Sequence, residues 1–138
     1  MDLVSVSRSE ASLGSFNLKR MSDYTRNYMM AGGKSAFSKY YTTSSTQAHL
    51  DPTLKKQMVL STHNLVTDGV FNEFHLILCR NVLIYFDDQL SNQVLHLLHD
   101  SLANRGHLVL GPKESIRFHR AGQYFENLHN KYKVFRRL

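Results

Sequence analysis

Arg80 and Asn81 stand directly after the apolar run Phe74–Cys79, and Tyr85-Phe86-Asp87 follows shortly behind them. A guanidinium and an amide at the end of a buried strand are costly unless they meet partners. Two readings stay open. In one, the pair shapes a ligand site at the strand's carboxyl end; in the other, Arg80 pairs with a carboxylate such as Glu114 and ties two loops together. Cys79 is the single cysteine of the chain, and Arg80 beside it would lower the pKa of a nucleophilic thiol. A lone cysteine closing an apolar strand, with no legible Cys/His/Asn arrangement, reads instead as a small buried hydrophobe.

Two other groupings carry no chemistry. Gly32-Gly33-Lys34-Ser35 has the ending of a phosphate-binding loop, but the leading glycine would have to stand at position 28, which is Tyr28. These glycines read as the turn after a helix containing Tyr and Met. His96 and His99 can share a helical face, yet no further ligands accompany them, so they read as surface residues and no metal is expected.

The elements that position these residues show in the apolar pattern. From residue 57 onward the rhythm is strand, loop, strand, helix, strand, beginning with Gln57–Ser61 as a strand that leads to His63-Asn64-Leu65, and with a turn at Thr67-Asp68-Gly69. Phe74–Cys79 is nearly continuous in apolar residues, the pattern of a central parallel strand buried on both faces. Asp87 or Asp88 caps a helix whose Leu90, Val94, Leu97, Leu98 and Leu102 recur at helical spacing until Gly106 stops it. His107–Gly111 is the next strand, and the intervening helix makes a parallel crossover and an α/β fold. Ligands of open α/β sheets sit beyond the carboxyl ends of the strands. Those ends are His63–Leu65, Cys79–Asn81 and Gly111–Ser115, loops expected side by side.

At 138 residues, with 42% hydrophobic content and a net charge of +6, the chain has room for one ordinary domain and suits an anionic partner without specifying one. No zinc, helix-turn-helix or RNA-recognition signature points to nucleic acid. Apolar runs of four or five residues are far too short to span a bilayer, which takes roughly 18. With one cysteine and no signal-peptide pattern at Met1-Asp2-Leu3-Val4, the expected compartment is the cytoplasm. Lys131, Lys133, Arg136 and Arg137 alternate with Tyr132, Val134 and Phe135 as in a strand with a solvated face. Residues 35–53 hold too few aliphatics for a core element and read as an excursion or small subdomain.

The run from Phe74 to Asp87, Phe-His-Leu-Ile-Leu-Cys-Arg-Asn-Val-Leu-Ile-Tyr-Phe-Asp, closely resembles the signature of CheR-type chemotaxis receptor methyltransferases. The resemblance extends back through His63-Asn64-Leu65 and forward through Leu102 to Gly111 and Glu114-Ser115-Ile116, with Tyr132–Phe135 like the family's closing strand. Ala11, Gly14, Phe16, Leu18 and Met21 resemble its Ala-x-x-Gly-x-Tyr-x-Leu-x-x-Met spacing. His75, Phe16 and Pro112-Lys113 stand where the family usually carries Asp, Tyr and His-Ser.

That resemblance implies methyl transfer from S-adenosylmethionine to glutamate side chains of methyl-accepting chemotaxis receptors. It implies that Asp2 hydrogen-bonds the adenosine moiety, that Asn64 and Leu65 hold the adenine end, and that Cys79, Arg80 and Asn81 form the floor beside the methionine part. Tyr85 would sit near the transferred methyl, and Arg80 would orient the substrate carboxylate or Tyr85. The stretch from about Gly33 to Thr53 falls where the family inserts a receptor-docking subdomain.

The similarity begins where the family's second strand ends. The expectation is therefore a partial Rossmann-like methyltransferase sheet with flanking helices, lacking the first strand and the Gly- and Glu-containing cofactor loop. Residues 1–56 would form a helix plus a small polar subdomain, and residues 57–138 the C-terminal part of the α/β domain. The rival to an enzyme is a non-catalytic remnant that keeps only receptor or partner docking. An incomplete sheet should also expose apolar edges at Leu76, Leu78, Leu108 and Leu110.

Overall fold

A computed structural model of the protein describes residues 11–70 and 72–138. Asp2 lies outside the described residues. The chain divides into two compact units between Ser61 and Thr62.

The first unit is built on a small antiparallel sheet. β1 (Ser15–Asn17), β2 (Tyr41–Thr43) and β3 (Gln47–Leu50) are ordered β1-β3-β2, with Phe16 and Thr43 both opposite Ala48, which is fully buried. His49 joins the edges: Nδ1 lies 2.9 Å from Ser15 Oγ and Nε2 lies 3.3 Å from Ser44 Oγ. Helix α1 (Met21–Met30) ends in the expected turn, where Gly32 takes a φ of +86° that a side chain would resist. The Tyr28 ring then packs on Phe37 at 5.1 Å and on Tyr40 at 5.8 Å between centroids. The aromatics thus supply the packing that the scarce aliphatics do not. A short helix, α2 (Pro52–Lys55), is capped by Asp51, which accepts the Thr53 N–H at 2.7 Å.

Gln57–Ser61 does not form the expected strand. Met58, Val59 and Leu60 stay exposed, and with no neighbouring strand among the described residues to complete a hydrogen-bonded ladder this stretch gains nothing from its β-prone residues.

The second unit carries a four-stranded mixed sheet flanked by helix. β4 (Phe74–Cys79), β5 (Leu102–Leu110), β6 (Phe125–His129) and β7 (Val134–Arg137) are ordered β4-β5-β7-β6. β4 and β5 are parallel and joined through helix α3 (Asp88–Asp100), so the α/β crossover is as the sequence implies. β7 runs antiparallel to both neighbours. Asp87 caps α3 by accepting the Leu90 N–H at 2.8 Å. Val94, Leu95 and Leu98 of α3 meet Leu108, Leu110, Ile116 and Phe135 in the core.

Three expectations are corrected here. The helix stops at Asp100, not Gly106, and β5 starts at Leu102. Gly106 lies inside β5 at a register shift against β4, where Arg105 has a φ of +61° and an added Cβ at Gly106 would meet Ala103 O at 2.8 Å. Among the described residues β4 is an edge strand of this sheet, and Leu76 and Leu78 are 56% and 66% exposed because they share the face opposite Ile77 and Cys79, which pack on the core. Leu108 and Leu110 are buried, since β5 lies between β4 and β7 and its inner face is covered by α3.

Candidate functional site

The site grows from one carboxylate. A tight turn, with the Glu114 N–H donated to Gly111 O at 3.0 Å, folds Glu114 back under the end of β5. On the neighbouring strand, Asn81 takes a left-handed φ of +58° and Val82 a right-handed conformation. That sequence of conformations turns successive N–H groups toward one point and makes an anion-binding nest. Glu114 fills it: Oε2 accepts from Asn81 at 2.9 Å and from Gly111 at 2.5 Å, and Oε1 accepts from Val82 and Leu83, each at 2.8 Å. A carboxylate only 3% exposed is thereby given the donors that a buried charge requires. Gly111 has no room for a side chain, since a Cβ would lie 2.5 Å from Asn81 Oδ1.

This corrects the pairing of Arg80 with Glu114. The carboxylate is satisfied by backbone donors, and Arg80 is exposed with no ion pair among the described residues. Cys79, 6% exposed at the end of β4, has its thiol pushed up to about 11 by burial and, secondarily, by the negative charge of Glu114. The thiol stays protonated, so Arg80 does not activate it. Tyr85 closes the single turn Leu83–Tyr85, whose first N–H is fixed by Glu114, and its ring is 79% exposed.

The His63–Leu65 loop orders itself. Asp68 accepts the Asn64 N–H at 2.7 Å and lies 3.2 Å from His63 Nδ1, while Asn64 Oδ1 accepts the Val66 N–H at 2.9 Å. The Asn64 N–H, foremost, holds the Asp68 carboxyl below the usual carboxylate range, with lesser help from Thr67 and His63. Leu65 packs against the core.

A groove of about 390 Å³ runs along the open side of β4, from His63, Leu65 and Val82 past Leu78 and Leu76 to Ser101. The loops at 63–65 and 79–82 meet at one end of it, and Glu114 ties the loop at 111–115 to the second of them. Leu65 and Cys79 line the groove; Asn64, Arg80, Asn81 and Tyr85 are exposed and do not. His96 and His99 are half-buried instead of on the open surface, each with its ring 5.4 Å from that of Tyr124. No metal-binding group of His, Cys, Asp or Glu occurs among the described residues.

The family model described as the CheR methyltransferase SAM binding domain matches residues 6–134. The chain belongs to this family. It is 42% identical over 127 residues to the "Putative methyltransferase Cher3" of Pseudomonas putida, a match covering 92% of this chain and 46% of that protein. A chemotaxis protein methyltransferase of Listeria innocua is 40% identical over 65 residues, 47% of this chain and 25% of the relative. One from Vibrio parahaemolyticus is 43% identical over 48 residues, 35% and 18% of the two chains. The chain spans less than half the length of these curated CheR relatives.

The cofactor of this CheR domain is S-adenosylmethionine. Its adenine ring suits the apolar wall formed by Leu65, Leu78 and Val82, and the neutral Cys79 at the strand end does not compete as a nucleophile for its sulfonium methyl. No carboxylate lines the groove among the described residues. The role of Glu114 as the filler of a backbone nest was not legible from residue types. Its only signal was an acid close after the apolar strand His107–Leu110.

Proposed function

We propose that this chain is part of a CheR-type enzyme that methylates glutamate side chains of methyl-accepting chemotaxis receptors. The observation that carries the reading is the Glu114-filled nest, which holds Arg80 and Asn81 at the carboxyl end of β4 beside the groove. When bound, S-adenosylmethionine supplies a methyl group on a positively charged sulfonium. Asn64 and Leu65 hold the adenine end, and Cys79, Arg80 and Asn81 form the floor toward the methionine part.

A glutamate carboxylate is already ionised at neutral pH and needs no general base. The work left to the protein is orientation and exclusion of competitors. Arg80 presents a planar fork of donors that matches a carboxylate in paired hydrogen bonds, fixing the acceptor's plane. Tyr85 offers its phenol hydroxyl beside the acceptor oxygen. Cys79, kept protonated by burial, does not compete as a nucleophile.

The test is calorimetric titration of the chain with S-adenosylhomocysteine, with far-ultraviolet circular dichroism to establish folding, followed by a methylation assay on receptor cytoplasmic fragments. Saturable one-to-one binding and labelled receptor are expected. A folded sample that binds nothing would leave receptor or partner docking as the remaining role.

A further inference from the structure

Beyond Glu114 the chain forms a ledge that the methyl-transfer site does not use. Ile116 and Ala121 are buried and pin the segment 116–121 to the core, and the Ala121 N–H is donated to Asn92 Oδ1 on α3 at 2.9 Å. Turn bonds from His119 N to Ile116 O at 3.1 Å and from Gly122 N to His119 O at 2.9 Å hold the loop's shape. On this fixed base Arg117, Phe118 and Arg120 all face solvent, and the Phe118 ring is 90% exposed. Neither arginine has an ion pair among the described residues.

A cleft of about 720 Å³ opens beneath the ledge. Arg117, His119, Arg120 and Gln123 line it together with the buried apolar side chains Ile116, Phe125 and Phe135, and no carboxylate contributes. A second hollow of about 390 Å³ shares His119 and Arg120, and is closed by Phe118 and by the first turns of α3, including Asp88. α3 begins just after Tyr85, and the ledge begins just after Glu114, so each hollow is tied by a short connection to a residue of the proposed acceptor site or its supporting nest.

We propose that this ledge docks an acidic segment of the protein substrate, with carboxylates on Arg117 and Arg120 and an apolar side chain over the cleft floor. The proposal rests on the methyl-transfer reading for the identity of the partner as substrate. Unpaired guanidiniums around an acid-free cleft select anions. The apolar floor and the exposed Phe118 favour a polypeptide that interleaves carboxylates with aliphatics, because a phosphate backbone would leave that floor unfilled.

The experiment is fluorescence anisotropy of the 138-residue chain with a labelled amphipathic peptide carrying glutamates and leucines at helical spacing. Controls are the same peptide with every Glu replaced by Gln and a labelled single-stranded oligonucleotide. Binding that weakens with salt, is lost with the Gln peptide, and falls at least tenfold in R117E/R120E is the expected result. Phe118→Ser should weaken binding about as much at high salt as at low salt. Both variants should melt and bind S-adenosylhomocysteine like the parent, since these side chains are exposed and outside the groove. No peptide binding, undiminished binding by R117E/R120E, or tighter binding of the oligonucleotide would overturn the proposal. Peptide binding with this charge dependence in a chain that fails to bind S-adenosylhomocysteine would uphold the acidic-segment site while removing the methyl-transfer reading.

Discussion

The backbone N–H of Asn81 meets Oε2 of Glu114 at 2.9 Å, joining loops that are 33 residues apart in the chain. The same carboxylate serves Val82, Leu83 and Gly111, so one side chain sets the shape of the turn that carries Arg80 and Tyr85. Glu114→Ala would strip the acceptor from all of these buried or half-buried donors. At roughly 1–3 kcal/mol for each unsatisfied buried group, with partial relief from water, the expected loss is about 3 kcal/mol or more. Glu114→Gln keeps one acceptor oxygen and should fall between Ala and the parent. Urea unfolding followed by circular dichroism measures both; an unchanged midpoint in the Ala variant would show that the nest does not depend on the carboxylate.

Gly111→Ala addresses the same junction from the other side. An added Cβ meets Asn81 Oδ1 at 2.5 Å, Glu114 Oε2 at 2.8 Å and Asn81 N at 2.9 Å, and two of those atoms belong to the nest itself. Overpacking there should cost about 1–3 kcal/mol. Gly69→Ala is the matched control, because nothing lies within 4 Å of its Cβ position; it should be neutral or stabilise by up to about 1 kcal/mol through the unfolded chain. Equal melting temperatures for the two variants would contradict the close approach at Gly111.

Cys79 gives a pH-dependent prediction. Its folded value of about 11 lies above that of an unfolded cysteine, so folding favours the neutral thiol. The contribution is therefore fully present below the unfolded value and is lost as pH rises through the folded one, placing the decline on the alkaline side. At pH 8 the native thiolate population is lower than the unfolded one by about a hundredfold, taking two pK units at tenfold each. Alkylation by iodoacetamide should be correspondingly slow in buffer and fast in denaturant. Comparable rates in both would mean that the thiol is not held at the buried end of β4.

Tyr85→Phe and Arg80→Lys separate chemistry from folding. Both side chains are exposed and neither makes a structural bond among the described residues, so each variant should unfold within about 0.5 kcal/mol of the parent. Under the proposed function, Arg80→Lys loses the planar fork and should lower receptor methylation at least tenfold. Tyr85→Phe should lower the turnover rate more than it alters S-adenosylhomocysteine affinity. Full methylation by either variant would remove that residue from the assigned role.

The sequence was informative where the cue is local. Asp87 caps α3 because an acid three residues before Leu90 can reach that N–H, and the crossover from Cys79 to β5 requires parallel pairing. It was less informative where the deciding partner lies far along the chain. Phe74–Cys79 has the same apolar pattern whether it sits at the centre or the edge of a sheet, and only the neighbours present decide which side chains are covered. Gly106 reads as a helix stop until Phe74 O, 3.2 Å from its Cβ position, shows it admitting the adjacent strand. Arg80 and Glu114 suggest an ion pair by charge, but the left-handed turn at Asn81 brings backbone donors to the carboxylate first.

The exposure of β4 has a consequence for the chain's behaviour in solution. Leu76 and Leu78 are 56% and 66% exposed on a strand whose outer edge is unpaired among the described residues, a combination that invites pairing with another edge. The isolated chain should therefore associate as its concentration rises, with an apparent mass that grows in sedimentation velocity. Introducing Leu76→Lys and Leu78→Lys together places charge on that strand without touching the half-buried Ile77 side or the pairing with β5. The double variant should sediment as a monomer and keep the parent's circular dichroism spectrum. A parent chain that stays monomeric and melts cooperatively across the same concentrations would show that this edge is protected, and that its leucines do not drive association.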